Sequence, residues 1–165
     1  MKPLIGAIAG LWAGLASVAF ADMTSDNQVV VELFTSQGCS SCPPADAILS
    51  DLAPSDDVIA LALHVDYWDY LGWKDEFADP RNTRRQKSYA RVAGARTVYT
   101  PQMVVGGKDH LVGVRPVELM DLIERHAANP APVLLSLSRS GDQIDISATA
   151  AGRLPNGAVI QLVRY

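Results

Sequence analysis

The sequence predicts an α/β domain, preceded by an apolar leader and followed by a β-rich segment. Three observations predict this. Between residues 29 and 127, β-branched apolar runs alternate with amphipathic helical stretches. Pro130 and Pro132 then mark a boundary. Beyond it, apolar residues recur with period two and no helical pattern follows. The expected division is 1–21 leader, 22–130 α/β domain and 131–165 β-rich segment.

The leader begins Met1-Lys2 and runs apolar from Leu4 to Phe20, broken only by Gly and Ser. It closes on Ala19-Phe20-Ala21, the small-x-small pattern of a signal-peptidase site. The expectation is a cleaved export signal and a periplasmic or secreted protein. The alternative is a retained anchor, because the run is nearly long enough to span a bilayer. No Cys stands at the junction, which disfavours a lipoprotein.

Within the domain, Val29-Val30-Val31-Glu32-Leu33-Phe34 reads as a buried strand. Ala45, Ile48, Leu49 and Leu52 then follow at i, i+3, i+4 and i+7, the stripe of a helix. Pro43 and Pro44 are tolerated only in its first turn, whose N–H groups lack helical partners anyway, so the helix is expected to begin at about Cys39 to Cys42. Val58 to Val65 reads as a second buried strand. Asp79-Pro80 reads as an N-cap and first helical residue, with Gly94 as the stop. Gln102 to Val105 and His110 to Val114 form a hairpin about Gly106-Gly107. Pro116, Leu119, Met120, Ile123 and Ala127 form the buried stripe of a last helix. Leu135/Leu137 and Ile144/Ile146 flank a Ser140-Gly141-Asp142 turn, and Ala158 to Tyr165 reads as a further strand. A chain stopping on an apolar strand suggests a second domain that is incomplete; a natural terminal strand is the alternative.

Composition narrows the function. Of 165 residues 48% are hydrophobic, enough for a packed core. The formal net charge of −4 becomes −5 once Lys2 leaves with the leader. An acidic chain has no electrostatic footprint for nucleic acid, and no polybasic run marks a membrane-surface binder.

The chain has two cysteines, Cys39 and Cys42. So short a loop removes little unfolded-chain entropy, so the pair is a poor staple, and chemistry is the better reading. At the head of a helix, Cys39 meets free N–H groups and the positive dipole end, which favour a thiolate. Cys39 is then the nucleophile, and Cys42, one turn in, is the resolving thiol. Glu32, charged in an apolar strand, either exchanges a proton with Cys42, or points to an edge or pairs with Lys. Thr100-Pro101 precedes a strand, where a proline is often cis. In a thioredoxin-like fold this loop faces the cysteines, and the backbone of Thr100 pairs with an extended substrate peptide.

The run from Val31 to Asp46, together with His64-Val-Asp-Tyr-Trp68, Trp73-Lys-Asp75 and Tyr99-Thr-Pro-Gln102, resembles the secreted thioredoxin-like family DUF1223, a domain of unknown function. The resemblance covers about Val29 to Ile123. It implies a thioredoxin-like fold with a helical insertion, a signal peptide and a β-rich C-terminal region in longer chains. Thioredoxin-like proteins in general imply roles for Cys39, Cys42, cis-Pro101 and Glu32. Gly38 stands where thioredoxin has Trp, which weakens any transfer of thioredoxin's own substrate range.

Other residues carry weaker signals. His64 and Asp66, two apart at a strand end, are expected on one face. His64 either tunes the cysteines, joins them as a metal ligand, or packs there satisfied by backbone. Tyr67, Trp68, Tyr70, Trp73 and Phe77 form either a mini-core or an apolar platform for partners, with Trp68 and Trp73 as its binding wall. Arg81, Arg84, Arg85, Lys87 and Arg91 read as a solvated basic face, with an anionic partner as the alternative.

Three functions compete. The first is an extracytoplasmic thiol–disulfide oxidoreductase acting on protein thiols with an unknown redox partner, its disulfide serving in place of a cofactor. The second is metal handling, with Cys39, Cys42 and His64 gripping Cu(I), which soft thiolates select. The third is a binding module with an inert disulfide.

Overall fold

The computed structural model of the protein describes residues 23–24, 28–129, 131–154, 159, 160 and 162. The expected leader lies outside them, as does most of the expected strand from 158 to 165. The elements are β1 (Met23–Thr24), β2 (Val29–Thr35), α1 (Pro43–Leu52), β3 (Val58–His64), a single 3₁₀ turn (Asp69–Leu71), α2 (Pro80–Val92), β4 (Gln102–Val105), β5 (Asp109–Val112), α3 (Pro116–Ala127), β6 (Val133–Ser140) and β7 (Gln143–Ala150).

The main sheet has the order β3-β2-β4-β5. β2 and β3 are parallel, as the α1 crossover between them requires. β4 runs antiparallel to β2, and β5 antiparallel to β4. The fold is therefore mixed α/β, with the element order from β2 to β7 that the hydrophobic pattern predicts; β1 was not expected.

Strand alternation sorts the helices into layers. Val29, Val31 and Leu33 of β2 pack with Ala45 and Leu49 of α1 and with Leu119, Leu122 and Ile123 of α3. Phe34 belongs to the opposite face, with Leu63, Val65 and Val104 and with Tyr89 of α2. α1 and α3 thus cover one face and α2 the other.

Two burial expectations are corrected. β3 is an edge strand, so its apolar run is only half covered and Ile59 is exposed. In α3 the buried residues are Leu119, Leu122 and Ile123, while Pro116, Met120 and Ala127 face solvent. The helix touches the sheet through its middle, so its stripe starts at Leu119 and passes through Leu122.

β6 and β7 form a hairpin whose turn is made by Gly141 at φ 61°. β1 pairs with β6 to complete a second sheet of three strands.

The turn from β4 to β5 depends on Gly106, at φ 57°. A Cβ there would also collide with the His126 ring, which Asp109 holds by a 2.7 Å contact. Gly106→Ala is expected to cost roughly 2 kcal/mol or more, because a left-handed backbone and a steric clash combine. A urea melt against the parent chain checks this.

Candidate functional site

β2 ends at Thr35, and the chain turns through Ser36, Gln37 and Gly38 to Cys39. The turn is closed by the Cys39 amide donating to the Ser36 carbonyl at 3.0 Å and the Gly38 amide donating to Ser36 Oγ at 3.1 Å. Cys42 is the N-cap of α1 and Pro43 its first residue. Cys39 and Cys42 form a disulfide, with S–S 2.06 Å and Cα atoms 5.4 Å apart. Cys39 keeps 3% of its surface exposed and Cys42 none, so Cys39 is the less covered of the pair.

The backbone differs from expectation at one point that affects the thiol chemistry. Pro43 and Pro44 have no N–H, and the amides of Ala45 and Asp46 both donate to the Cys42 carbonyl. The first four residues of α1 therefore offer Cys39 no free backbone donor. The Ser41 hydroxyl, 3.6 Å from Cys39 Sγ, and the field of the helix dipole remain to favour a thiolate.

The Thr100–Pro101 peptide is cis. Its loop lies against the first turn of α1. A Cβ placed on Gly113 would meet Ala45 Cβ at 2.9 Å and Pro101 Cβ at 3.0 Å, so only a glycine allows this approach. On its other side the loop is held by Gln86 of α2. The Gln86 amide nitrogen donates to the Tyr99 carbonyl at 2.7 Å and to Gln102 Oε1 at 2.8 Å.

Trp68 joins the two loops that flank the disulfide. Its indole N–H donates to Thr100 Oγ1 at 2.8 Å, and its Cβ would lie 3.0 Å from a Cβ on Gly38. Trp68 is thus a half-buried strut as well as a wall. It explains why Gly occupies position 38. Trp73 is 63% exposed and donates its indole N–H to Gln37 Oε1 at 3.0 Å. With Tyr70 and Phe77, both exposed, it forms an apolar rim beside the cysteine loop.

Beneath this rim lies Asp75, a residue to which the sequence reading assigned no role. Its side chain is buried and accepts from the Gln37 amide at 2.8 Å and the Phe77 amide at 2.9 Å, and it meets His64 Nδ1 at 2.7 Å. Burial pushes the carboxyl pKa up. The His64 ring and the two amides outweigh that and hold it below the usual value. The signal for Asp75 was its place in Trp73-Lys-Asp75, but its partners are 11 and 38 residues away.

Three expected associations are not formed. Asp66 does not join His64; it bonds Thr83 Oγ1, because β3 ends at His64 and strand alternation stops there. His64 is turned to Asp75, and among the described residues no three His, Cys, Asp or Glu side chains are grouped to hold a metal ion. Glu32 does not reach Cys42. It lies on the face of β2 opposite α1, where it accepts from Arg85 Nε and Tyr89 OH of α2, each at 2.5 Å. The parity of the strand decides this, since Leu33 takes the α1 side. Burial and the Glu32 bond together raise the Tyr89 phenol pKa.

The fold and site define a mixed α/β protein with a disulfide-linked C-x-x-C at a helix head, flanked by a cis-proline loop and an aromatic rim. The chain belongs to the DUF1223 family, described as a protein of unknown function, whose model matches residues 30–165. It is similar to a crystal structure of a protein from Agrobacterium tumefaciens, with 44% identity and a TM-score of 0.66, over 72% of this chain. The chain spans 54% of the length of that protein. No functionally curated protein matches it.

Proposed function

We propose that the protein is an exported, thioredoxin-like thiol–disulfide oxidoreductase that acts on protein disulfides. The observation that carries this reading is the Cys39–Cys42 bond at the head of α1, with Cys39 as the less covered member. The strand order β3-β2-β4-β5, the two helices on one face and the Thr100–Pro101 loop beside α1 support the thioredoxin-like part. The leader over residues 1–21 supports export, and export supports a compartment where disulfides persist.

In the reduced protein, the Cys39 thiolate attacks one sulfur of a substrate disulfide. That bond breaks, the second substrate sulfur leaves as a thiolate and takes a proton, and a mixed disulfide remains on Cys39. Cys42 then loses its proton and attacks the Cys39 sulfur, which releases the first substrate sulfur as a thiol. The substrate gains two electrons and two protons, and the cysteine pair loses them. A partner dithiol outside the cytoplasm returns them.

The direction of this exchange follows from the helix head. A strong protein oxidant owes its potential to a stabilised reduced form, in which the thiolate is well solvated by donors. Pro43 and Pro44 remove two such donors, Cys42 occupies the next two, and the Ser41 hydroxyl, at 3.6 Å from Cys39 Sγ, is a single long contact. A reduction potential of roughly −200 to −270 mV is therefore expected, in the range of reductants and isomerases. Equilibration with glutathione buffers, read by mass after thiol trapping, measures it. A value below about −300 mV, with thiols inert when reduced, would leave a structural disulfide on a binding scaffold.

A further inference from the structure

From Pro80 to Pro101 the chain carries six Arg or Lys residues and no Asp or Glu, on a protein whose formal charge is −4. The fold sorts these cations. Arg81 is taken by Asp79, and Arg85 by Glu32. Arg84, Lys87 and Arg91 stay exposed on one side of α2, at i, i+3 and i+7, and no salt bridge occupies them among the described residues. Arg84 acts on Asp79 only at a distance, helping to lower its carboxyl pKa after the larger effect of Arg81.

These three cations and Arg96 surround a hollow of about 880 Å³. Ala90, Ala95 and Val98 supply its apolar surface, Ser88 and Thr97 its hydroxyls, and among the described residues no carboxylate lines it. Val98 is followed directly by Tyr99, Thr100 and Pro101, so the wall of the hollow continues into the loop beside the disulfide. Gln86 ties the two together, since it stands on α2 and holds the Tyr99 carbonyl.

We propose that this hollow binds an acidic segment of the protein substrate, flanking the disulfide that Cys39 attacks. The second half of that statement rests on the function proposed above. The shape of the charge favours a chain over a compact anion. Seven residues of helix separate Arg84 from Arg91, about 10 Å. An extended peptide repeats its same-side carboxylates about every 6.7 Å, so two fit along that row. The hollow also lies along the C-terminal half of α2, where the helix dipole opposes a concentrated negative charge. A phosphate-like ion would seek a helix N-terminus or a cluster of backbone amides. Spread carboxylates instead meet long, flexible cations over an apolar floor.

The test is fluorescence anisotropy of two labelled ten-residue peptides, alternating Glu-Ser and Gln-Ser, on the full oxidised chain. The acidic peptide is expected to bind at least tenfold more tightly, and the difference is expected to shrink with added salt. Arg84→Gln/Lys87→Gln/Arg91→Gln should abolish the preference, and Arg81→Gln should leave it intact. The replaced residues are exposed, and an unchanged urea midpoint verifies folding; Arg96→Gln alone provides a milder version. Equal binding of the two peptides, or unchanged binding by the triple variant, overturns the proposal. So does a hollow that takes tripolyphosphate and not the acidic peptide. With disulfide-containing versions of the same peptides, the acidic flank should lower KM and leave kcat unchanged. If neither peptide is reduced while the acidic one still binds, the redox reading fails and the acidic-peptide site stands. If both are reduced with equal KM, the redox reading stands and this one fails.

Discussion

Cys39→Ser is expected to abolish exchange with protein disulfides, by on the order of 10³-fold or more, as loss of a nucleophile does elsewhere. A serine hydroxyl is not ionised at neutral pH, and the remaining cysteine, Cys42, is fully buried and does not replace Cys39. Cys42→Ser should behave differently. Cys39 still attacks, the substrate disulfide still breaks, and the mixed disulfide then persists because the resolving thiol is missing. The readout is a covalent adduct on a non-reducing gel, formed by Cys42→Ser and absent for Cys39→Ser. The 3% exposure of Cys39 against none for Cys42 sets this order. Full activity in Cys39→Ser would sink the enzyme reading, and the disulfide would then be a fixed part of a binding surface.

Asp75→Ala is expected to be the most damaging change outside the cysteines. It strands the buried amides of Gln37 and Phe77 and removes the partner of His64. Loss of such a buried acceptor costs about 3 kcal/mol. The loss is also local, because Gln37 lies two residues before Cys39. Alkylation of reduced Cys39 should therefore speed up even where the domain remains folded. Asp75→Asn retains one acceptor oxygen and should cost roughly half as much. The pH dependence has a definite sign. The folded pKa of Asp75 is lowered, so its contribution is complete above the unfolded value of about 3.9 and is lost as pH falls through the folded value. Urea midpoints of the parent should fall below about pH 4, and Asp75→Asn should lack that part of the decline.

The hydrophobic periods, the prolines and the two cysteines are local signals. They sufficed for the order of elements from β2 to β7 and for the turns at Gly94, Gly106-Gly107 and Gly141, while α1 begins at Pro43, just past the expected Cys39 to Cys42. The same locality explains the failures. Nothing in Val58 to Val65 tells an edge strand from a central one, because an apolar run does not record which neighbours cover it. Nothing near Glu32 names Arg85 and Tyr89, which lie 53 and 57 residues away.

The sequence by itself determined that a C-x-x-C pair follows a buried strand and opens a helix, since β-branched runs, Pro43-Pro44 and the α1 stripe act within a few residues. Only the tertiary structure decided what surrounds that pair. It packed Gly113 closely against both Ala45 and Pro101, hung Trp68 between Gly38 and Thr100, and sent Glu32 to the face opposite α1. Those outcomes depend on strand parity and on close approach between distant segments, and both exist only once the sheet is assembled.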